Sequence, residues 1–191
     1  MRVPTRPGRT AAFLLLVAIT LPGLGACAGE AEAETVPAGA ASKPEVRSAL
    51  VDLYAGADDA DGQRAAEDAE CFADGLLERV TPAQLRDGGV LDASYEPRAE
   101  VATLDRTVAE AWTAAQMSCT DFVEESTRAQ EALTKGRLDA DAYATCLEGR
   151  LDEATIRDAS VSTLMARWDD PAVGEMSVAQ SECSVLSVPR G

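Results

Sequence analysis

The chain contains no histidine among its 191 residues. That one absence removes the commonest general base near neutral pH and the commonest metal ligand together. Ser-His-Asp triads, H-E-x-x-H sites and Cys₂His₂ zinc sites go with it. Aromatics are scarce, at two Trp, three Tyr and three Phe, so the core is expected to be modest. No two of the five cysteines stand in C-x-x-C spacing, which excludes a thioredoxin-type redox centre and argues against a Cys₄ zinc site. No G-x-S-x-G, no phosphate-cradling glycine loop and no S-x-x-K set occurs. Long apolar runs are missing except Ala11 to Ile19, about half the roughly 20 residues that a membrane-spanning helix needs.

Positive charge is also in short supply. Three of the 17 basic residues and none of the 33 acids precede Cys27, which leaves 14 against 33 and a net charge of −19 from there on. Such a surface repels phosphate and anionic head groups. Nucleic acid is therefore not an expected partner, whereas a basic protein or a cationic peptide is compatible.

What is present begins with an address. Arg2, Arg6 and Arg9, then the apolar run, then Pro22 and small residues, make the three-part layout of an export signal. Its end, Leu24-Gly25-Ala26-Cys27, resembles the lipobox of bacterial lipoproteins at all four positions. The resemblance implies cleavage before Cys27, a diacylglyceryl thioether on its sulfur and acylation of the new amine. Two or more acyl chains suffice for stable anchoring, where one does not. The implied location is the outer face of the cell membrane. Ala26-Cys27-Ala28 also reads as an A-x-A cleavage site, and that alternative gives a secreted protein. Both readings place Cys71, Cys119, Cys146 and Cys183 in an oxidising compartment, where disulfides form. An alanine-rich, cysteine-paired head behind a lipobox is similar in style to small exported lipoproteins of high-GC Gram-positive bacteria.

Residues 27–43 are small, acidic and without periodicity, as in a flexible tether. Ser42-Lys-Pro-Glu45 then reads as a capping box that opens a helix carrying Val46, Leu50 and Leu53. Gly56 to Gly62 is turn chemistry. Phe72, Leu76 and Val80 mark a second helix, and Thr81-Pro82-Ala83-Gln84 a second capping box. Residues 87–98 read as loop. From Ala99, the residues Val101, Leu104, Val108, Trp112, Ala115, Cys119 and Phe122 step by three or four, predicting one long helix that runs on toward Lys135-Gly136. Tyr143, Cys146, Leu147 and Leu151 define another helix, and residues 152–168 a further one ending at Trp168. Met176, Ala179, Cys183 and Leu186 define the last. Trp112 and Trp168, at helical spacing, are expected in the core.

The two halves repeat. Cys71 and Cys146 are each followed five residues later by a leucine, Leu76 and Leu151, and A-Q-x-x-C occurs at Ala115–Cys119 and again at Ala179–Cys183. The fold expectation is all-α: two tandem helical units, residues 44–135 and 136–191, each stapled by a disulfide. Four cysteines allow three connectivities, and the repeat favours Cys71–Cys119 with Cys146–Cys183.

One polar cluster invites a metal reading. Laid on a calcium loop, Gly62 takes the sharp-turn position with Asp59, Asp61 and Asp68 at ligand positions. Ala57 stands where the first ligand belongs and Arg64 where an aliphatic residue is usual, so the cluster reads as a solvated turn and at most a weak divalent-cation binder. The remaining acids supply many carboxylate pairs, and no spacing singles one out. The sequence thus points to a membrane-anchored, non-catalytic interaction module without a cofactor. An envelope hydrolase with carboxylates between the units is the alternative from another class.

Overall fold

Helix starts explain the layout. In the computed structural model, which describes residues 41–55, 62–98 and 103–188, α1 (Lys43–Ala55) opens on the Ser42–Glu45 box, with the Ser42 N–H donating to Glu45 Oε2 at 2.8 Å and the Glu45 N–H to Ser42 Oγ at 3.4 Å. α2 spans Gly62–Arg79, and α3 (Pro82–Asp87) opens on the reciprocal Thr81–Gln84 box with proline in its first turn. The next five helices each begin behind an aspartate that accepts a backbone N–H: α4 (Arg106–Cys119) behind Asp105, α5 (Phe122–Thr134) behind Asp121, α6 (Ala140–Glu148) behind Asp139, α7 (Glu153–Leu164) behind Asp152 and α8 (Pro171–Ser187) behind Asp170. Each carboxylate satisfies an orphan donor and complements the positive end of its helix. The described residues are all-α, with no strand and a single bridge, Leu91 to Pro97.

Cys27, Asp59 and Asp61 lie outside the described residues; Asp68 is on α2, 3.9 Å from the Arg64 guanidinium. No described helix is long and apolar enough to cross a membrane.

Two disulfides join helix pairs. Cys71–Cys119 ties α2 to α4 with Cα atoms 5.8 Å apart, and Cys146–Cys183 ties α6 to α8 at 5.6 Å. Loops of 48 and 37 residues are closed, worth roughly 4 kcal/mol each in the chain-entropy picture. The repeat positions behave alike, since Leu76, Leu151, Ala115 and Ala179 are all buried.

All described residues fall in one compact unit, with two apolar clusters inside it. The first gathers Val46, Leu50, Phe72, Leu76, Leu85, Leu91 and Val108, and takes Val161 from α7. Tyr54 stacks on Phe72 at 4.2 Å, and Trp112, half-buried, meets Phe72 edge-on at 4.7 Å. The second gathers Tyr143, Leu147, Ile156, Ala179 and Cys183, with Met117, Phe122 and Val123 packed against it. The clusters thus interlock across residue 135, since α7 serves the first while the end of α4 and the start of α5 serve the second. The Leu104 N–H donating to the Leu164 carbonyl at 2.9 Å is a further cross-tie.

Three sequence expectations are corrected. The helix predicted from Ala99 to beyond Phe122 is two helices: residues 103–105 are not helical, and Thr120-Asp121 breaks the chain because Asp121 turns its carboxylate onto the Glu124 N–H. Leu104 is buried as a loop residue, so the spacing it shares with Val108 is not helical periodicity. α7 stops at Leu164, not Trp168, because Ala166 adopts φ 54° and the Arg167 N–H closes onto the Ser162 carbonyl at 2.8 Å. Trp168 is consequently 67 % exposed rather than in the core, and Leu186 is exposed too. Gly88, at the end of α3, has no room for a side chain: a Cβ there would stand 2.5 Å from Val108 Cγ2.

Ala166 pays for its left-handed backbone, a conformation costing non-glycine residues roughly 1–2 kcal/mol. Ala166→Gly is expected to stabilise the fold by about 1 kcal/mol, read as a higher denaturant midpoint with unchanged slope; a lower midpoint would show that the turn carries no such strain. Cys71 is exposed whereas Cys183 is fully buried, so a thiol reductant reaches the first bridge sooner. Graded reduction with alkylation and mass spectrometry should label Cys71 and Cys119 before Cys146 and Cys183, and the reverse order would contradict the burial pattern.

Candidate functional site

α5 stands apart from the other long helices. It has 13 residues and not one is buried, although Phe122, Ala129 and Leu133 recur on one face at spacings of seven and four. Amphipathic helices ordinarily bury such a stripe. Its ends are well made: Asp121, with Glu124 and Glu125, occupies the start, and Lys135 at φ 54° with Gly136 at φ 71° closes it.

Side chains rather than packed apolar faces bind α5 to α8. Gln180 Nε2 donates to Ser126 Oγ at 3.2 Å and Gln130 Nε2 to Ser184 Oγ at 2.5 Å. Both pairs are offset by 54 residues, and the offset is the same at successive turns, so α5 and α8 run parallel. Beneath them lies α6, which packs on both and presents the Tyr143 hydroxyl 3.1 Å from Ser126 Oγ with the tyrosine 1 % exposed.

Between these walls runs a groove of about 470 Å³ lined by Ser126, Ala129, Gln130, Leu133, Tyr143 and, from α8, Gln180, Ser181, Ser184 and Val185. None of the lining side chains is charged, in a chain in which a quarter of the residues are. Leu133 is 76 % exposed on one wall and Val185 66 % on the other. Val178 and Leu186 extend the exposed apolar surface of α8. Lone exposed apolar residues are ordinary, but a contiguous patch marks an interaction surface.

The other flank of α5 is opposite in character. A second groove of about 640 Å³, between α5 and α6, has Asp121, Glu124, Glu131, Asp141 and Glu148 along it against two guanidiniums. Both are engaged: Arg64 is 2.5 Å from Glu124, and Arg128 pairs with Glu125. α5 is therefore a ridge with a neutral groove on one side and an acidic one on the other.

A third depression, of about 310 Å³, lies where α4, α7 and the α7–α8 turn meet, with Arg106, Arg157 and Arg167 facing Glu110, Asp158 and Asp170. The Ser162 hydroxyl, then the Ala172 N–H, hold Asp170 below the usual carboxylate range. Among the described residues, every carboxylate that departs clearly from its ordinary pKa moves downward: Glu45 and Asp152 through capping bonds, Asp74 chiefly through its hydrogen bond from Arg47, and Asp170. These shifts keep the groups ionised, as capping and ion pairing require. No cluster of three or more Cys, Asp or Glu arranged to hold a metal occurs among the described residues.

Sequence periodicity singled out Ala129 and Leu133 as part of a buried stripe, but not the groove beside them. The missed signal was Asp121-Phe-Val-Glu124, a D-x-x-E start that separates α5 from α4. The pairing of Ser126 with Gln180 had no local signal. Comparison of the chain with protein-family models, with curated proteins and with solved structures finds no match in any of the three.

Proposed function

We propose that this chain is an exported interaction module, held at the outer face of the cell membrane by a lipid on Cys27, which binds an envelope protein or peptide through the groove between α5 and α8 and carries out no catalysis. The observation behind the binding half is the open apolar face of α5, set against exposed Val185 in a groove without charge. Phe122 and Val123 pack half-buried on the second cluster, but Ala129 and Leu133 further along the helix are exposed, so that part of the amphipathic pattern makes physical sense as a surface for something else. The anchoring half rests on Leu24-Gly25-Ala26-Cys27 behind a signal-type leader.

Two measurements test the halves separately. Cys27→Ser should abolish labelling by radioactive palmitate and move the chain out of the membrane fraction; unchanged labelling or a retained Met1 in the intact mass would overturn the anchor. A photo-cross-linker at position 133 in living cells should capture one protein in near-stoichiometric yield, and Val185→Glu should remove that product. Capture that survives Val185→Glu would mean the groove is not the binding surface.

A further inference from the structure

Resting on that reading of the groove, we infer that its occupant is a single short amphipathic helix with a basic flank. Its apolar side chains lie between Leu133 and Val185, and its cations reach over α5 to Glu131, Asp141 and Glu148.

Geometry supplies the first part. Two parallel helices joined by hydrogen-bonded side chains, rather than by close backbone approach, form a pair of walls with α6 as the floor. A third helix laid along such a pair buries a stripe of its own and covers theirs, which is the helix-in-groove mode of recognition. The α5 wall runs from Ser126 to Leu133, about 12 Å, matching roughly two turns of an occupant. The polar groups at the floor already pair with one another through Tyr143, Ser126 and Gln180, so the occupant meets apolar and small side chains rather than a hydrogen-bonding demand.

Charge supplies the second part. The groove itself is neutral, but five carboxylates against two engaged guanidiniums lie along the opposite flank of α5. A helix seated between Leu133 and Val185 projects one edge of its polar face over that flank. Lysine or arginine there is attracted, and aspartate or glutamate is repelled. A second copy of this chain would bring its own net charge of −19, counted from Cys27, against the same field, which disfavours self-association.

The test uses the full chain with both disulfides closed and three fluorescent peptides of ~15 residues: one with leucines at helical spacing and lysines on the polar face, one with glutamates in place of the lysines, and one with the lysine peptide's composition in scrambled order. In anisotropy titrations, the lysine peptide should bind and gain helical circular dichroism, at least tenfold more tightly than the other two. Leu133→Glu and Val185→Glu should each weaken it about tenfold or more. Asp141→Asn with Glu148→Gln should weaken it several-fold and flatten its salt dependence. These positions are exposed, and a non-reducing gel with a thermal melt confirms that each variant keeps its bridges and fold. Equal binding of the glutamate or scrambled peptide would overturn the inference, as would a dimer seen by sedimentation that Val185→Glu dissolves. If the in-cell cross-link at position 133 persists while the lysine peptide fails, the groove still binds a partner and only its helical, basic nature is refuted. Loss of both refutes the groove itself.

Discussion

Covalent closure of two helix pairs is the constraint on which the rest of this molecule depends. Small domains are stable by only about 5–15 kcal/mol, and bridges worth roughly 4 kcal/mol apiece are a large share of that. Cys71–Cys119 and Cys146–Cys183 act where the chain has little else, because eight aromatics in 191 residues cannot build a thick core. Three of the eight, Tyr54, Phe72 and Trp112, are spent on one contact chain in the first cluster. Bridges of this kind form and persist where thiols are oxidised.

Stapling changes what the other helices must do. With α2 held to α4 and α6 to α8, α5 takes only a small part in the core: Phe122 and Val123 pack half-buried on the second cluster, while Ala129 and Leu133 stay exposed. Its neighbours hold it by polar side chains at a fixed register. A helix packed into the core for stability would have lost that face to the interior. The acid excess has a similar double character. Five aspartates are consumed as helix caps and several more carboxylates in ion pairs with arginine. Much of the negative charge thus serves helix termini and solvation, while the carboxylates between α5 and α6 give a directional field beside the uncharged groove.

Much of this was legible in the chain. Capping boxes at Ser42 and Thr81 are signals of local hydrogen bonding and appear where their residues stand. The repeated cysteine surroundings pointed to the pairing found, because each half of the repeat carries its own two cysteines and joins them. Local rules misled where a break and a period coincide. Leu104, Val108 and Phe122 keep helical spacing across two breaks, and only the caps at Asp105 and Asp121 reveal them. Trp168 and Leu186 extended apolar patterns that the real helices do not bury.

Periodicity, composition and cysteine context by themselves determined the all-α class, most helix starts and the disulfide partners, because each is set by residues close in sequence or by a repeated pattern. Only the tertiary structure decided that α5 and α8 run side by side with Ser126 opposite Gln180 and Gln130 opposite Ser184, and that Ala129 and Leu133 of α5 stay exposed. A hydrophobic stripe specifies which face of a helix seeks cover. What covers it, or leaves it open, is settled by packing among segments far apart along the chain.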